Sequence, residues 1–291
     1  MKRALQHLKD LWNIAHPDSK RLQIVYLLGL ALIPFTILYS PFRDWLGFGW
    51  WFLLWIYVIQ QVAVKFDTLF YHRLFAHEQY TVKPWFERII VVLSPLLLQS
   101  YPAGYAWLHL RHHRYADETG DPHPPYNNDR RRWNNLLFPY LTEVGPVEYK
   151  LILPLLKRPL QTWIMKYYWH MTLFYAILIA LIDYRFLFLW IMGTQLATFG
   201  GGVLNTYTHS NNRAAIDDLH IKNPQDHNAV NVKSYWTILF GGNGENYHYV
   251  HHTYPWRWNF HPDSEKGKSC INGRLIKRMV KLGIAEVKTP I

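Results

Sequence analysis

Four apolar stretches, Leu22 to Tyr39, Gly47 to Val64, Tyr167 to Ile182 and Phe186 to Leu204, dominate this chain. Each has roughly the length that a ~30 Å hydrocarbon slab demands. Lipid cannot satisfy backbone N–H and C=O groups, so such stretches must fold as helices. Their apolar character surrounds the helix instead of forming one stripe, unlike the surface helices of a soluble bundle. The mean hydropathy of −0.13 conceals this pattern, because it averages the stretches against basic, His-rich segments. The links between neighbours are short, around Ser40, Pro41 and Arg43 in one pair and Asp183-Tyr184-Arg185 in the other. Two antiparallel hairpins follow, each returning to its starting side.

Lys and Arg crowd the segments outside the hairpins: Lys2, Arg3, Lys9, Lys20 and Arg21; then Arg111, Arg114, Arg130, Arg131, Arg132, Lys150, Lys157, Arg158 and Lys166; then the tail from Lys266. The positive-inside rule places them in the cytoplasm, which predicts an integral, multi-pass membrane chain. A fifth apolar run, Ile89 to Leu98, is only about half a spanning length and is interrupted by Ser94 and Pro95. If it crossed, His72 and His77 before it and His109, His112 and His113 after it would face opposite sides. It is expected to be interfacial or re-entrant. The N-terminus lacks a cleavage site for a signal peptide, so the first helix is expected to stay. No repeat or Gly/Ser-rich linker divides the chain. The expected architecture is all-α, with four transmembrane helices in two hairpins, an interfacial helix and a cytosolic cap, residues 1–291 forming a single membrane-embedded domain.

Sixteen histidines is a high count. Nine form four groups: His72 and His77; His109, His112 and His113; His209; and His248, His251 and His252. On a helix at about 100° per residue, each H-x-x-H-H box keeps its three rings within about 100° of arc, on one face. Glycines 241, 242 and 244 mark a turn from which the last box can start as a helix. His72 and His77, five apart, diverge by about 140°, so either the helix breaks between them or they serve two metals. Nine imidazoles exceed the roughly six positions of one octahedral ion, which makes two metals the economical reading. Imidazole alone leaves Zn, Cu, Fe and Ni open. The single cysteine, Cys270, excludes an internal disulfide and an iron–sulfur cluster needing about four thiolates.

The boxes HRLFAH (72 to 77), HLRHH (109 to 113) within WLHLRHHRYADETGDPHP, and HYVHH (248 to 252) within GENYHYVHHTYP resemble the membrane fatty acyl desaturases of the stearoyl/Δ9 type. Asn205-Thr206-Tyr207-Thr208-His209 is similar to that family's N-x-x-x-H element. The resemblance runs from about Asp67 to Pro255. It implies two iron ions held by His72, His77, His109, His112, His113, His209, His248, His251 and His252, with Asn205 reaching a metal through water. Asn205 and His209, i and i+4, share a helical face. Asp117, Glu118, Asp121 and Glu245 are candidate acceptors for imidazole N–H groups.

No side-chain acid or base removes hydrogen from an unactivated methylene, so the oxidant must come from a cofactor, here the metals with O2. The expected reaction is double-bond formation in an acyl chain held in an apolar tunnel, with O2 leaving as water. No flavin fingerprint is present, so two electrons must come from a separate carrier; the net charge of +11 would favour docking of an acidic ferredoxin or b-type cytochrome, or equally an anionic bilayer surface. The substrate is expected as acyl-CoA, acyl-carrier protein or acyl-lipid, with membrane lipids as surroundings and no nucleic acid as partner. Acyl-CoA members carry Trp four residues before the second box and Arg-Asp directly before it. Here Tyr105, Trp107 and Leu108 stand there, which argues against a CoA-type contact. Phe70 and Tyr71, ahead of the first box, replace small residues and are candidate tunnel walls. Hydroxylation, acetylenic-bond formation or decarboxylation use the same scaffold. Outside that class, a membrane zinc hydrolase with Glu245 as base would need fewer ligands, and a metal transporter would need them at mid-bilayer depth.

Overall fold

The computed structural model describes residues 17–117, 120–122, 136–141, 147–209, 229–232 and 242–289. Helix α1 (Pro17–Leu38) leads through the short α2 (Ser40–Leu46) into α3 (Trp51–Phe66), and a π-helix, Asp67–Ala76, continues α3 directly. Strand β1 (Tyr80–Val82) and α4 (Pro84–Leu93) follow, then a 3-10 turn, Ser94–Leu97, and α5 (Pro102–Tyr115). Next come α6 (Tyr149–Leu156), α7 (Pro159–Asp183), α8 (Phe186–Thr208), α9 (His248–Thr253), α10 (Ile271–Lys281) and β2 (Ala285–Val287).

Among the described residues four helices are long and apolar enough to cross a membrane: Asp18–Leu38, Trp51–Ala76, Pro159–Asp183 and Phe186–Thr208. Their outward residues are apolar, with Leu38 84% and Leu181 78% exposed, as expected of a surface solvated by lipid instead of water. The first hairpin differs from the expected bare turn, because Ser40–Leu46 forms a helix, started by Pro41 in its first turn. At the second tip Asp183 accepts from Arg185 at 2.5–3.0 Å, and the guanidinium lies 5.9 Å from the Phe48 ring at the first tip.

Helix α8 packs along both α1 and α3. The close approach to α3 depends on Gly193, where an added Cβ would lie 2.6 Å from Ile59 Cβ and 2.9 Å from the Ile56 carbonyl. Neither a branched side chain nor backbone can yield cheaply. Gly193→Val is expected to cost about 1–3 kcal/mol or more by overpacking, read as a lower thermal midpoint of the detergent-solubilised protein.

The helical arms Pro84–Leu97, α4 with its 3-10 turn, and Pro102–Tyr115, α5, are bent against each other by 80° across the break at 98–101. His77 before this pair and His109 at its end bring their Nε2 atoms to 2.8 Å, so the segment leaves and returns on one side, a re-entrant element. Trp85 and Ile89 of α4 remain exposed. The C-terminal segment closes the cap: β2 pairs antiparallel with β1, Tyr80 opposite Val287, and α10 buries Ile276 and Asn272.

Candidate metal centre

The π-helix settles how the first box is used. Its i→i+5 bonding, with the His77 N–H on the His72 carbonyl at 3.0 Å, stacks residues five apart. His72 and His77 therefore turn toward the same point. The helix neither breaks nor sends the pair to two metals; it widens. His72 lies on the continuous helix Trp51–Ala76, which carries the second candidate span.

Nine imidazoles gather into two adjacent groups, His72, His77, His109, His113 and His251 in one and His112, His209, His248 and His252 in the other, with possible ligand atoms within 4.8 Å in each. Each H-x-x-H-H box is split between them instead of presenting one face to one ion. The i, i+4 members, only about 40° apart in projection, go together, while the i+3 member on the far side crosses to the other group. His113 Nε2 lies 3.1 Å from His109 Nε2 and 2.7 Å from His251 Nε2. His209 Nε2 lies 3.1 Å from His112 Nε2 and 3.0 Å from His248 Nε2. The groups meet where the His113 and His252 rings stack, centroids 4.2 Å apart. Ligand nitrogens bound at ~2.1 Å and at right angles stand about 3 Å apart, which is the spacing found, so the donor set fits a cation at each focus.

Electrostatics keep these rings in ligating form. Burial, then the charge of neighbouring imidazoles, holds His77, His109, His113, His248, His251 and His252 well below the ordinary histidine range. They are neutral bases at pH 7.

Three carboxylates turn the rings. His112 Nδ1 donates to Asp121 at 2.9 Å and His209 Nδ1 to Asp117 at 3.2 Å, and His72 Nδ1 lies 3.0 Å from Glu245 Oε2. A proton on Nδ1 leaves the Nε2 lone pair facing inward. Glu118, the fourth candidate acceptor, lies outside the described residues. Asp117 takes a left-handed conformation, φ +64°, tolerated by its short polar side chain, and this folds the chain after α5 back over both rings. Burial pushes its carboxyl up to about 7, against the pull of His112.

Sequence reasoning missed Arg73. Fully buried, it donates to Glu245 Oε1 at 2.6 and 3.1 Å and to the Trp258 carbonyl at 2.7 Å, with its guanidinium 3.8 Å from the Phe260 ring centroid. Asn272 of α10 reaches the same carboxylate at 3.3 Å. Burial opposes ionisation of Glu245, but Arg73 and His72 outweigh it and lower its carboxyl to about 2. Glu245 is a fixed anion, unsuited to serve as a general base. Gly244 before it has φ +111°, and a Cβ there would meet Cys270 Cβ at 2.6 Å, so only glycine allows this turn. Gly241 of the expected turn lies outside the described residues, as does the Arg130 to Arg132 cluster.

Asn205 sits one turn before His209, whose N–H bonds to its carbonyl at 3.1 Å. Tyr71 is not a loose wall, because its hydroxyl donates to the Ser100 and Ser94 carbonyls at 2.7 and 3.2 Å and pins the turn after α4.

A family model described as fatty acid desaturase matches residues 50–263. The sn-1 stearoyl-lipid 9-desaturase of Synechocystis sp. is 29% identical over 100 residues, 34% of this chain and 30% of that protein. The acyl-CoA Delta(11) desaturase of Choristoneura rosaceana is 24% identical over 276 residues, 87% of this chain and 76% of its own. The sn-2 palmitoyl-lipid 9-desaturase of Nostoc sp. is 24% identical over 246 residues, 82% and 81% of the two chains. The match to the Synechocystis protein thus spans less than a third of its length.

Proposed function

Since the chain belongs to the fatty acid desaturase family, we propose that it introduces a double bond into a fatty acyl chain, using O2 and two iron ions held by its nine clustered histidines. The observation that carries this reading is the convergence of five and four imidazoles on two adjacent foci, with three of the rings oriented by carboxylates. His72, His77, His109, His113 and His251 would hold one ion. His112, His209, His248 and His252 would hold the other, with Asn205 contributing through water. Bound iron would supply the redox chemistry and O2 reduction that an unactivated methylene requires. Five nitrogens about 3 Å apart favour octahedral-type coordination over tetrahedral zinc, whose ligand nitrogens would stand about 3.3 Å apart.

The protein's own part is orientation and exclusion of water. The acyl chain enters from the lipid side, because the first box continues the membrane helix Trp51–Ala76. The basic segments around the hairpins support a multi-pass arrangement with the centre on the cytoplasmic side. Two relatives are named for lipid-linked substrates and one for a CoA-linked substrate; with Tyr105, Trp107 and Leu108 before the second box, the acyl-lipid substrate is the better fit. Electrons would come from an acidic ferredoxin or b-type cytochrome, drawn by the chain's net charge of +11.

Metal analysis of the purified protein is expected to give two irons per chain. Expression in a host of known lipid profile is expected to yield a fatty acid two hydrogens lighter, with its double bond locatable by mass spectrometry. Zinc with O2-independent turnover would overturn the reading, and a product gaining one oxygen would redirect it to hydroxylation.

A further inference from the structure

Residues 266–285 carry six Lys or Arg and no Asp or Glu, within a chain whose net charge is +11. Four of the six lie on α10. Arg274, Lys277, Arg278 and Lys281 recur at i, i+3, i+4 and i+7, so they form one stripe within about 100° of arc. All four are exposed. The cations beside the stripe are matched: Lys266 and Lys268 share Asp263 at 3.3 and 2.9 Å, and Lys288 meets Glu78 at 3.2 Å. Among the described residues, none of the four on the stripe has an acidic partner.

The other side of α10 is already covered. Ile276 is fully buried, and Leu275 and Met279 pack against the main core. A helix lying on a bilayer must place its apolar side in lipid, and here that side faces the cap. What points outward is charge, bordered by Val280 and Leu282, 37% and 72% exposed.

The same helix reaches inward to the histidine centre. Asn272, in its first turn, donates to Glu245 Oε1 at 3.3 Å, and Glu245 Oε2 lies 3.0 Å from Nδ1 of His72. Arg274 stands two residues from Asn272. Lys277 Nζ lies 5.7 Å from the ring centroid of Trp258, whose carbonyl accepts from Arg73. Two side chains, Asn272 and Glu245, thus join α10 to one of the five clustered rings.

An electron passes between proteins only over a short gap, and redox encounters are small in area and steered by charge. One helix face suffices for such a contact. Double-bond formation takes two hydrogens from the chain, and two electrons and two protons from outside, so that O2 leaves as two waters. A one-electron carrier must therefore dock twice per double bond, which calls for a weak and rapidly exchanging surface. We propose that the basic stripe of α10 is the docking surface for an acidic one-electron carrier protein. The inference rests on the desaturase reading and gives its electrons a point of entry.

The test is equilibrium binding to the holoprotein in nanodiscs of neutral phosphatidylcholine. The probes are an acidic plant-type ferredoxin and the acidic soluble haem domain of a b-type cytochrome, each titrated at about 20 mM and about 300 mM salt, where screening shortens sharply. Wild type is expected to bind at least one of them, with affinity falling at the higher salt. The triple reversal Arg274→Glu, Arg278→Glu and Lys281→Glu should weaken that binding at least about tenfold at low salt, since like charges then face each other. Reversal of Lys150, Lys157 and Lys166 to Glu changes the net charge equally and should leave the affinity within about twofold. Glutamine at positions 274, 278 and 281 stands in if the reversal does not fold, with a smaller loss in the same direction. Equal weakening by both triple reversals, or none by the α10 set, overturns the proposal. So does a loss confined to anionic phosphatidylglycerol vesicles, which would make the stripe a membrane contact. A protein that forms double bonds yet binds carriers independently of α10 sinks the docking surface alone, whereas stripe-dependent binding in a protein that forms none sinks the desaturase reading and leaves the surface standing.

Discussion

His251→Ala and His252→Ala, changes at adjacent positions, should strip different metals. His251 closes on His72 and His113 at 3.1 and 2.7 Å, while His252 closes on His248 at 3.1 Å. Each variant is expected to retain about one iron in place of two and to lose desaturation by more than about 100-fold, beyond the 10–100-fold that outer partners of a metal site command. Iron analysis of both proteins, with Mössbauer spectra to tell the remaining ions apart, checks the split. If both variants lose the same ion, the division of each box between two centres is wrong.

The second large effect concerns Arg73. Its guanidinium holds Glu245, which in turn orients His72, and none of the three reaches water to an extent that would soften the change. Arg73→Met leaves a buried carboxylate uncompensated, for which about 3–5 kcal/mol is expected. Arg73→Lys retains the charge but not the planar fork and should fall between. Adding Glu245→Gln to Arg73→Met should restore most of the thermal midpoint, because the unpaired charge is gone, while iron affinity stays about 10–100-fold weaker through the loss of a charged acceptor on His72. A double variant no more stable than Arg73→Met would show that the guanidinium matters for packing on Phe260 and not for its charge.

Much of this was legible in residue order. The four spans required only runs of apolar residues, since lipid imposes helices on any such run. The re-entrant path between the first two boxes followed from the parity of crossings. Asp117, Asp121 and Glu245 were readable as partners of the imidazoles because acidic side chains close in sequence to a histidine box have little choice of acceptor role. The π-helix was not legible, because Asp67 to Ala76 has the composition of an ordinary helix end and the extra residue per turn is chosen by what packs on it. Nor was Arg73: flanked by His72 and Leu74, it reads as a basic residue at a membrane surface, and its burial depends on Glu245, Trp258 and Phe260, more than 170 positions away.

Residue order by itself determined the membrane-embedded helical architecture and the nine imidazoles, because hydrophobicity and ligand chemistry are properties of the side chains. Tertiary structure alone decided which imidazole gathers at which centre and which carboxylate is neutralised by a buried guanidinium. Those outcomes depend on distances of a few ångströms between segments remote along the chain, and Coulomb and coordination energies change steeply over that range.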